Sequence, residues 1–419
     1  MIDIKYLREN LDEIKANIEK RNSSVDLSEL LDIDNRYTVL LQEVEALRAE
    51  RNLVAGNSKQ GKPTDEQIEK GKKIKDELAV KDTELKDLDE KRLSILRSIP
   101  NLTHKEVPEG KGDEDNKEIR KVGEPVKIAN VLDHLELVKK HDLVDFERGA
   151  KVVGAKFYYL KNKLAILEQA VLRYGMDFMI KQGFEFLVTP ELAKEEVLMG
   201  KGFLPRGPEK QVYYLDGENL ALIGTSEITV LGYHMNEVLG AEDLPKKYVA
   251  FSHCFRTESG SYGRESYGLY RVHQFSKVEM FAFALPEQSE AIHLEFLAFE
   301  EKFWQSLGIP YRVVDCCTGD LGGSDYRRFD IEAWMWGKNE GKGGWGEVTS
   351  TSNCIDYQAR GLNIRYKSKE GDRGYLHTLN GTVVATPRAL IAIMENYQQE
   401  DGSIKIPEVL VPYCGFDKI

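Results

Sequence analysis

The sequence predicts an α+β chain: a mostly antiparallel sheet flanked by helices, preceded by an N-terminal antiparallel α-helical coiled-coil hairpin. Three observations carry this. Two stretches, 33–54 and 74–95, repeat their seam residues in alternating steps of four and three, and a Gly/Pro/Ser segment separates them. Beyond residue 125, candidate strands outnumber candidate helices and seldom alternate with them, which disfavours a doubly wound parallel sheet. No GxGxxG or GxxxxGK(S/T) run is present, so neither common nucleotide-binding fold gains support.

Residues 4–20 form a short amphipathic pattern, with Leu7, Leu11, Ile14 and Ile18 on one stripe. The first seam then runs through Ile33, Tyr37, Leu40, Val44, Leu47, Arg51 and Val54. Residues 56–64 (GNSKQGKPT) make a turn, and Asp65 is the expected cap of the next helix. The second seam runs through Ile74, Leu78, Lys81, Leu85, Leu88, Arg92 and Ile95 until Pro100 stops it. Each seam is narrow and the outer faces are charged, so the pair is expected to project from the body. About thirty helical residues reach roughly 45 Å. Arg48, Arg51, Lys59, Lys62, Lys70, Lys72, Lys73 and Lys75 make the far end locally basic, suited to phosphates. A dimerising coiled coil with a solvated face fits the same pattern.

Residues 99–125, rich in Pro, Gly and acid, are the expected junction between two domains, 1–102 and 103–419. A helix is expected over 160–179 and a strand over 183–190. Further strands are expected over 211–214, 248–252, 312–315, 329–336 and 346–350, and helices over 287–307 and 387–399. Between them, 255–283 (FRTESGSYGRESYGLYRVHQFSKVEMFAF) reads as two antiparallel strands joined by a long polar loop. It can set two arginines and two carboxylates beside one small polyanion, although a solvated surface hairpin would read alike.

The 419 residues carry 31% charged and 41% apolar side chains and a formal net charge of −12. An acidic chain does not suggest nucleic acid over its whole surface, yet leaves room for a local basic face. Five cysteines, of which only Cys316 and Cys317 are close in sequence, suggest neither a disulfide framework nor a zinc site. A reducing compartment, the cytoplasm, is the expected setting. The charged N-terminal stretch lacks the apolar core of a secretory signal, and no run is long enough to span a membrane.

Over its whole length the chain resembles the seryl-tRNA synthetases, a family of class II aminoacyl-tRNA synthetases. The resemblance rests on the hairpin, on Pro100-Asn101, on 107–110 (VPEG), on 407–413 (PEVLVPY) and on three ordered motifs. It implies a class II catalytic core and an ATP-dependent serine–tRNA ligase that forms seryl-adenylate and charges tRNA(Ser), with tRNA(Sec) a further acceptor. The first motif, ending at Pro190, implies a homodimer interface. In the second, the resemblance implies that Arg256 grips the α-phosphate of ATP, Phe275 stacks on adenine and Glu258 accepts from the adenine amino group. It also implies that Arg271 touches phosphate, Glu279 meets the amino and hydroxyl groups of serine, and the loop 258–270 admits the tRNA end. Thr225 and Glu227 match the T-x-E segment of the amino-acid pocket. Asn380 and Thr382 match its remaining residues, with Thr382 on the serine hydroxyl; a polar turn is the plainer reading of that strip. Glu347 and Ser350 match the ligands of a magnesium or manganese ion, a hard-oxygen site. The third motif ends in Thr386-Pro387-Arg388, with Arg388 toward the β- and γ-phosphates. Val383 and Val384 stand where that motif commonly has glycine or small residues. Cys354 is expected to pack without ligating, and no Cys or His stands at zinc spacing, unlike the family's zinc-dependent branch. His234, His273, His293 and His377 are expected to be structural or surface residues.

Two rival readings share much of this pattern. One is a ligase of the same fold that charges a carrier protein, which has no use for a long basic hairpin. The other is a non-catalytic tRNA-binding homologue, which would be expected to lose Arg256, Glu279, Glu347 or Arg388; all four are present.

Overall fold

A computed structural model of the chain describes residues 1–57, 64–202, 211–258 and 268–419. Lys59 and Lys62, most of the turn 56–64 and most of the loop 258–270 lie outside these residues. The chain separates into two compact units, Met1–Asn22 with Pro100–Ile419, and Ser23–Ile99. By compactness the division therefore differs from 1–102 and 103–419, because the first 22 residues pack with the larger unit. The cause is visible in helices α1 (Ile4–Glu9) and α2 (Leu11–Lys20) and the residue after them. Asn17 Nδ2 donates to the Asn101 carbonyl at 3.0 Å. The buried Arg21 guanidinium donates to the carbonyls of Asn101, Asp325, Leu321 and Gly322. A buried charge with its donors satisfied by backbone is costly to pull away.

The smaller unit is an antiparallel pair, α3 (Leu27–Asn57) and α4 (Asp65–Ser98). Its seam packs Val44, Ile74 and Leu78 against Leu47, Val54 and Leu85. Charged cross-pairs fix the register: Asp34–Arg92 at 3.2 Å, Glu43–Lys81 at 2.6 Å and Arg48–Asp82 at 2.9 Å. Arg92 occupies its seam position by lying 4.2 Å from the centroid of the Tyr37 ring. The cap of α4 is Thr64 rather than Asp65. Its hydroxyl accepts from Gln67 N while Gln67 Oε1 accepts from Thr64 N, a reciprocal capping box that places Asp65 in the first turn.

The larger unit is built on an eight-stranded sheet. Its strands are β1 (Lys117–Val122), β2 (Glu185–Val188), β3 (Lys246–Phe255), β4 (Gln274–Ala284), β5 (Tyr311–Asp315), β6 (Arg327–Met335), β7 (Gly344–Asn353) and β8 (His377–Ala385). They lie in the order β1-β5-β6-β7-β8-β4-β3-β2, and only β2–β3 is a parallel pair. Helices α5 (Asn162–Lys181), α7 (Ser289–Ser306) and α8 (Thr386–Tyr397) share the main core with the sheet; α6 (Ser226–Tyr233) packs in a second apolar cluster with Phe281 and Phe283. No helix among the described residues is long and apolar enough to cross a membrane.

Three local expectations change. Residues 117–122, placed in the junction, form edge strand β1; every side chain but that of Val122 is exposed, so no apolar period marks it. Residues 211–214 make only an isolated bridge at Tyr214. Asn380 and Thr382 lie inside β8, not in a turn after a strand. Val383 and Val384 are accommodated by a glycine elsewhere: a Cβ on Gly175 of α5 would approach their side chains at 3.5 and 3.1 Å. All five cysteines are buried free thiols, Cys354 among them.

Candidate active site

Strands β4, β7 and β8, the residue that follows β3 and the N-terminus of α8 border a cavity of about 450 Å³. Alternate residues of a strand share a face. On β4, Phe275, Lys277 and Glu279 therefore line the cavity while Val278 and Met280 enter the core. On β8, Asn380 and Thr382 do the same. Gly381 between them faces inward, where a Cβ would come within 2.6 Å of Met280 and 3.0 Å of Glu300. On β7 a bulge is needed. Thr349 pairs with Ile331 and Glu347 with Glu332, so Val348 is an extra residue. That single insertion turns Glu347 and Ser350, three apart, onto the same face.

All twelve residues selected from the sequence line this one cavity. Its cationic end holds Arg256 and Arg388. Arg256, just beyond β3, donates from Nε to the Gly224 carbonyl at 3.2 Å and lies 5.3 Å from the Phe275 ring centroid. Arg388, in the first turn of α8, donates from Nη1 to the Glu347 carbonyl at 2.9 Å and pairs with its carboxylate at 3.3 Å. The guanidinium also lies 4.5 Å from the centroid of Tyr270. Arg271 precedes β4 and pairs with Glu258 at 3.4 Å. The protein around Glu347 favours its neutral form, although 48% of the side chain is open to solvent; Arg388 and then Arg328 outweigh this and hold the carboxyl below its ordinary pKa. Ser350 Oγ lies 3.5 Å from Glu347 Oε1. A carboxylate and a hydroxyl, open to the cavity beside a phosphate-sized cationic end, fit a hard divalent cation that keeps other positions for water and phosphate.

The opposite end is polar and balanced. Thr225, the N-cap of α6, donates from Oγ1 to Glu279 Oε2 at 2.6 Å. Lys277 Nζ lies 2.8 Å from the same oxygen and 2.9 Å from Thr225 Oγ1. Glu227 accepts from Asn380 Nδ2 at 2.9 Å and Gln358 Nε2 at 2.7 Å, and pairs with Lys201 at 2.9 Å. Glu227 thus reaches the cavity while its carboxylate orients Asn380.

Sequence reasoning missed Lys277, Lys201, Gln358 and Arg328. Lys277 stands midway between Phe275 and Glu279 on an alternating strand, and that spacing alone could have found it. Lys201, Gln358 and Arg328 come from distant segments and have no such signal. The described residues also hold a cluster of Cys316, Asp320 and Asp330, whose ligand atoms lie within 4.8 Å of one another. Arg328 pairs with all three, at 3.2, 2.6 and 3.1 Å. Burial pushes Asp330 up to about 6, against the pull of Arg328.

An antiparallel sheet with an arginine just beyond one strand and another opening a helix, around one cavity, is the arrangement of a class II tRNA synthetase. Residues 213–397 match the tRNA synthetase class II core domain (G, H, P, S and T), and residues 1–103 match the seryl-tRNA synthetase N-terminal domain. The chain is 49% identical over 423 residues to the serine–tRNA ligase of Treponema denticola, with all of both chains covered. It is similar to the seryl-tRNA synthetase of Pyrococcus horikoshii complexed with ATP, at 38% identity and a TM-score of 0.86, covering 100% of this chain and 99% of that one. It is also similar to the cytoplasmic serine–tRNA ligase of Naegleria fowleri in complex with AMP, at 31% identity and a TM-score of 0.83, covering 100% and 98%. The chain belongs to the seryl-tRNA synthetase family.

Proposed function

We propose that this cavity binds ATP and L-serine side by side, joins them as seryl-adenylate with release of pyrophosphate, and passes the seryl group to the 3′ end of tRNA(Ser). Family membership makes the chain a serine–tRNA ligase; the observation that carries the residue-level reading is the polarity of the cavity. One end gathers Arg256, Arg388 and a helix N-terminus, groups that suit phosphates. The other gathers Glu279, Thr225, Asn380 and Thr382, a small hydrogen-bonding pocket.

Arg256 stabilises the charge that grows on the α-phosphate as the serine carboxylate attacks. Phe275 offers its ring to adenine and Glu258 accepts from the adenine amino group. Arg388 takes the β- and γ-phosphates, with Arg271 a further contact. Glu279 meets the ammonium and hydroxyl of serine, and Thr382 the hydroxyl. A pocket that hydrogen-bonds the hydroxyl rejects alanine and glycine because its buried groups would be left unpaired. Glu347 and Ser350 would hold magnesium or manganese, which supplies charge neutralisation to the phosphate oxygens. The reaction needs positioning and charge stabilisation more than a protein base.

The helical hairpin is the tRNA-binding arm in this reading, supported by its match to the family's N-terminal domain. A homodimer is supported by edge strand β2, where Val188 is 72% exposed and Phe186 is also open. The reading extends to the cytoplasm and to tRNA(Sec). Charging assays with separate tRNA(Ser) and tRNA(Sec) transcripts test the acceptor range: serine on neither transcript would overturn the reading.

A further inference from the structure

The amino-acid end of the cavity contains a hydrogen-bond relay whose directions can be read without seeing hydrogens. Thr225 Oγ1 accepts from Glu227 N at 3.2 Å, as a helix cap. It also lies 2.9 Å from Lys277 Nζ, which can only donate. Those two donors fill both lone pairs of the hydroxyl. Its single proton is therefore committed to Glu279 Oε2, 2.6 Å away. The same oxygen takes Lys277 Nζ at 2.8 Å and Ser226 Oγ at 3.3 Å. Among the described residues, none of these donors goes to Glu279 Oε1. Lys277 is 5% exposed and Glu279 3% exposed, so neither ion is bathed in bulk water.

From this we infer that Lys277 is a positioning residue for amino-acid recognition. Its ammonium saturates Thr225 as an acceptor, forces that hydroxyl to donate to Glu279 Oε2, and pins the carboxylate so that Oε1 is the oxygen presented to a ligand. Thr225 then serves by orientation, and its hydroxyl makes no hydrogen bond to substrate. The chemical class recognised is a small zwitterion: the buried lysine balances the buried carboxylate, so the pocket favours a ligand that brings an ammonium together with its own carboxylate. A lone amine meets a site with no net negative charge to spare. The inference deepens the proposed serine site and rests on that reading.

The test uses the full-length enzyme in serine-dependent ATP–pyrophosphate exchange, with the wild type as reference. Lys277→Met keeps the stem and removes the donors. The expected result is a serine KM raised about 10- to 100-fold, the size of a lost charge-assisted hydrogen bond, with ATP KM within about twofold of wild type and a smaller serine-to-alanine preference. Lys277→Arg, which keeps the charge, is expected to recover part of the serine KM. A purely structural lysine would instead lower kcat and weaken both substrates together. Should Lys277→Met not fold, Thr225→Val tests the same relay. It is expected to raise serine KM; where both variants fold, their effects should be less than additive because both act through Glu279. Wild-type serine KM in a folded Lys277→Met, or in Thr225→Val, overturns the inference. Absence of serine-dependent exchange in the wild type would overturn the serine site itself, a separate outcome.

Discussion

Thr382 of β8 and Glu279 of β4 are direct cross-strand partners, and both line the cavity. Their Cβ atoms share one face at the separation of a paired position, so a hydroxyl and a carboxylate converge on the same small volume. Replacing Thr382 with Val keeps the shape and removes the hydroxyl. In the proposed site this is expected to lower kcat/KM for serine about 10- to 100-fold, leave ATP KM unchanged and narrow the preference for serine over alanine. Steady-state exchange kinetics with both amino acids check it. An unchanged serine kcat/KM would remove Thr382 from the pocket.

Arg388 and Glu347 are joined twice, through the Glu347 carbonyl and its carboxylate. Arg388→Gln is expected to lower exchange about 100-fold or more, the scale of losing one charge-stabilising group. It also removes the cation that contributes most to holding Glu347 below its ordinary pKa, so that pKa should rise. In the proposed site, cation binding through Glu347 is then expected to weaken first at the acid end. Magnesium titrations of the variant at several pH values should show a requirement that grows as pH falls, more steeply than in wild type.

His293 is buried against β7, with Nε2 3.0 Å from the Thr351 carbonyl, which it meets as a donor. Burial pushes its pKa down to about 4, against the pull of that carbonyl. The unfolded chain, near pKa 6.5, binds the proton more tightly. This contribution to stability is therefore present above about pH 6.5 and lost as pH falls toward 4, roughly 3 kcal/mol in all. Between pH 7 and about 5.5, wild type should lose about 1 kcal/mol more than His293→Gln, whose side-chain amide can still donate to Thr351. Urea unfolding of both proteins at the two pH values measures the difference; equal losses would show that His293 does not titrate on unfolding.

The hairpin offers a cut that respects its pairing. Glu43–Lys81 and Arg48–Asp82 both lie below residues 50–75. Replacing 50–75 with a short Gly-rich turn should leave serine-dependent exchange within about twofold while charging of tRNA(Ser) falls at least about tenfold, the deficit relative to wild type being largest at low salt. Equal loss of both activities would make the hairpin a structural element.

How much was legible depended on what each residue faces. The seams of α3 and α4 could be read because a two-helix contact buries only one narrow stripe; Arg92 fits it through Tyr37 and Asp34, partners its own position does not reveal. Strand β1 was hidden because its exposed KEIRKV side chains carry no alternation of burial. Strand β4 is legible as an alternating strand although both of its faces are covered, the core on one side, the cavity and then Phe281 and Phe283 on the other. The spacing of Glu347 and Ser350 makes sense only with the Val348 bulge, which the sequence does not announce. Lys201, which satisfies Glu227, carries no such signal, because a buried charge that serves another buried charge resembles a surface residue until the partner is seen.

In the proposed function the cavity activates serine with ATP. ATP–pyrophosphate exchange by the full-length protein, across serine, alanine, glycine, threonine and cysteine, tests it most directly. Strong exchange with serine is expected, with kcat/KM at least about 100-fold weaker for alanine and glycine. No exchange with serine, or a clear preference for another amino acid, would contradict it.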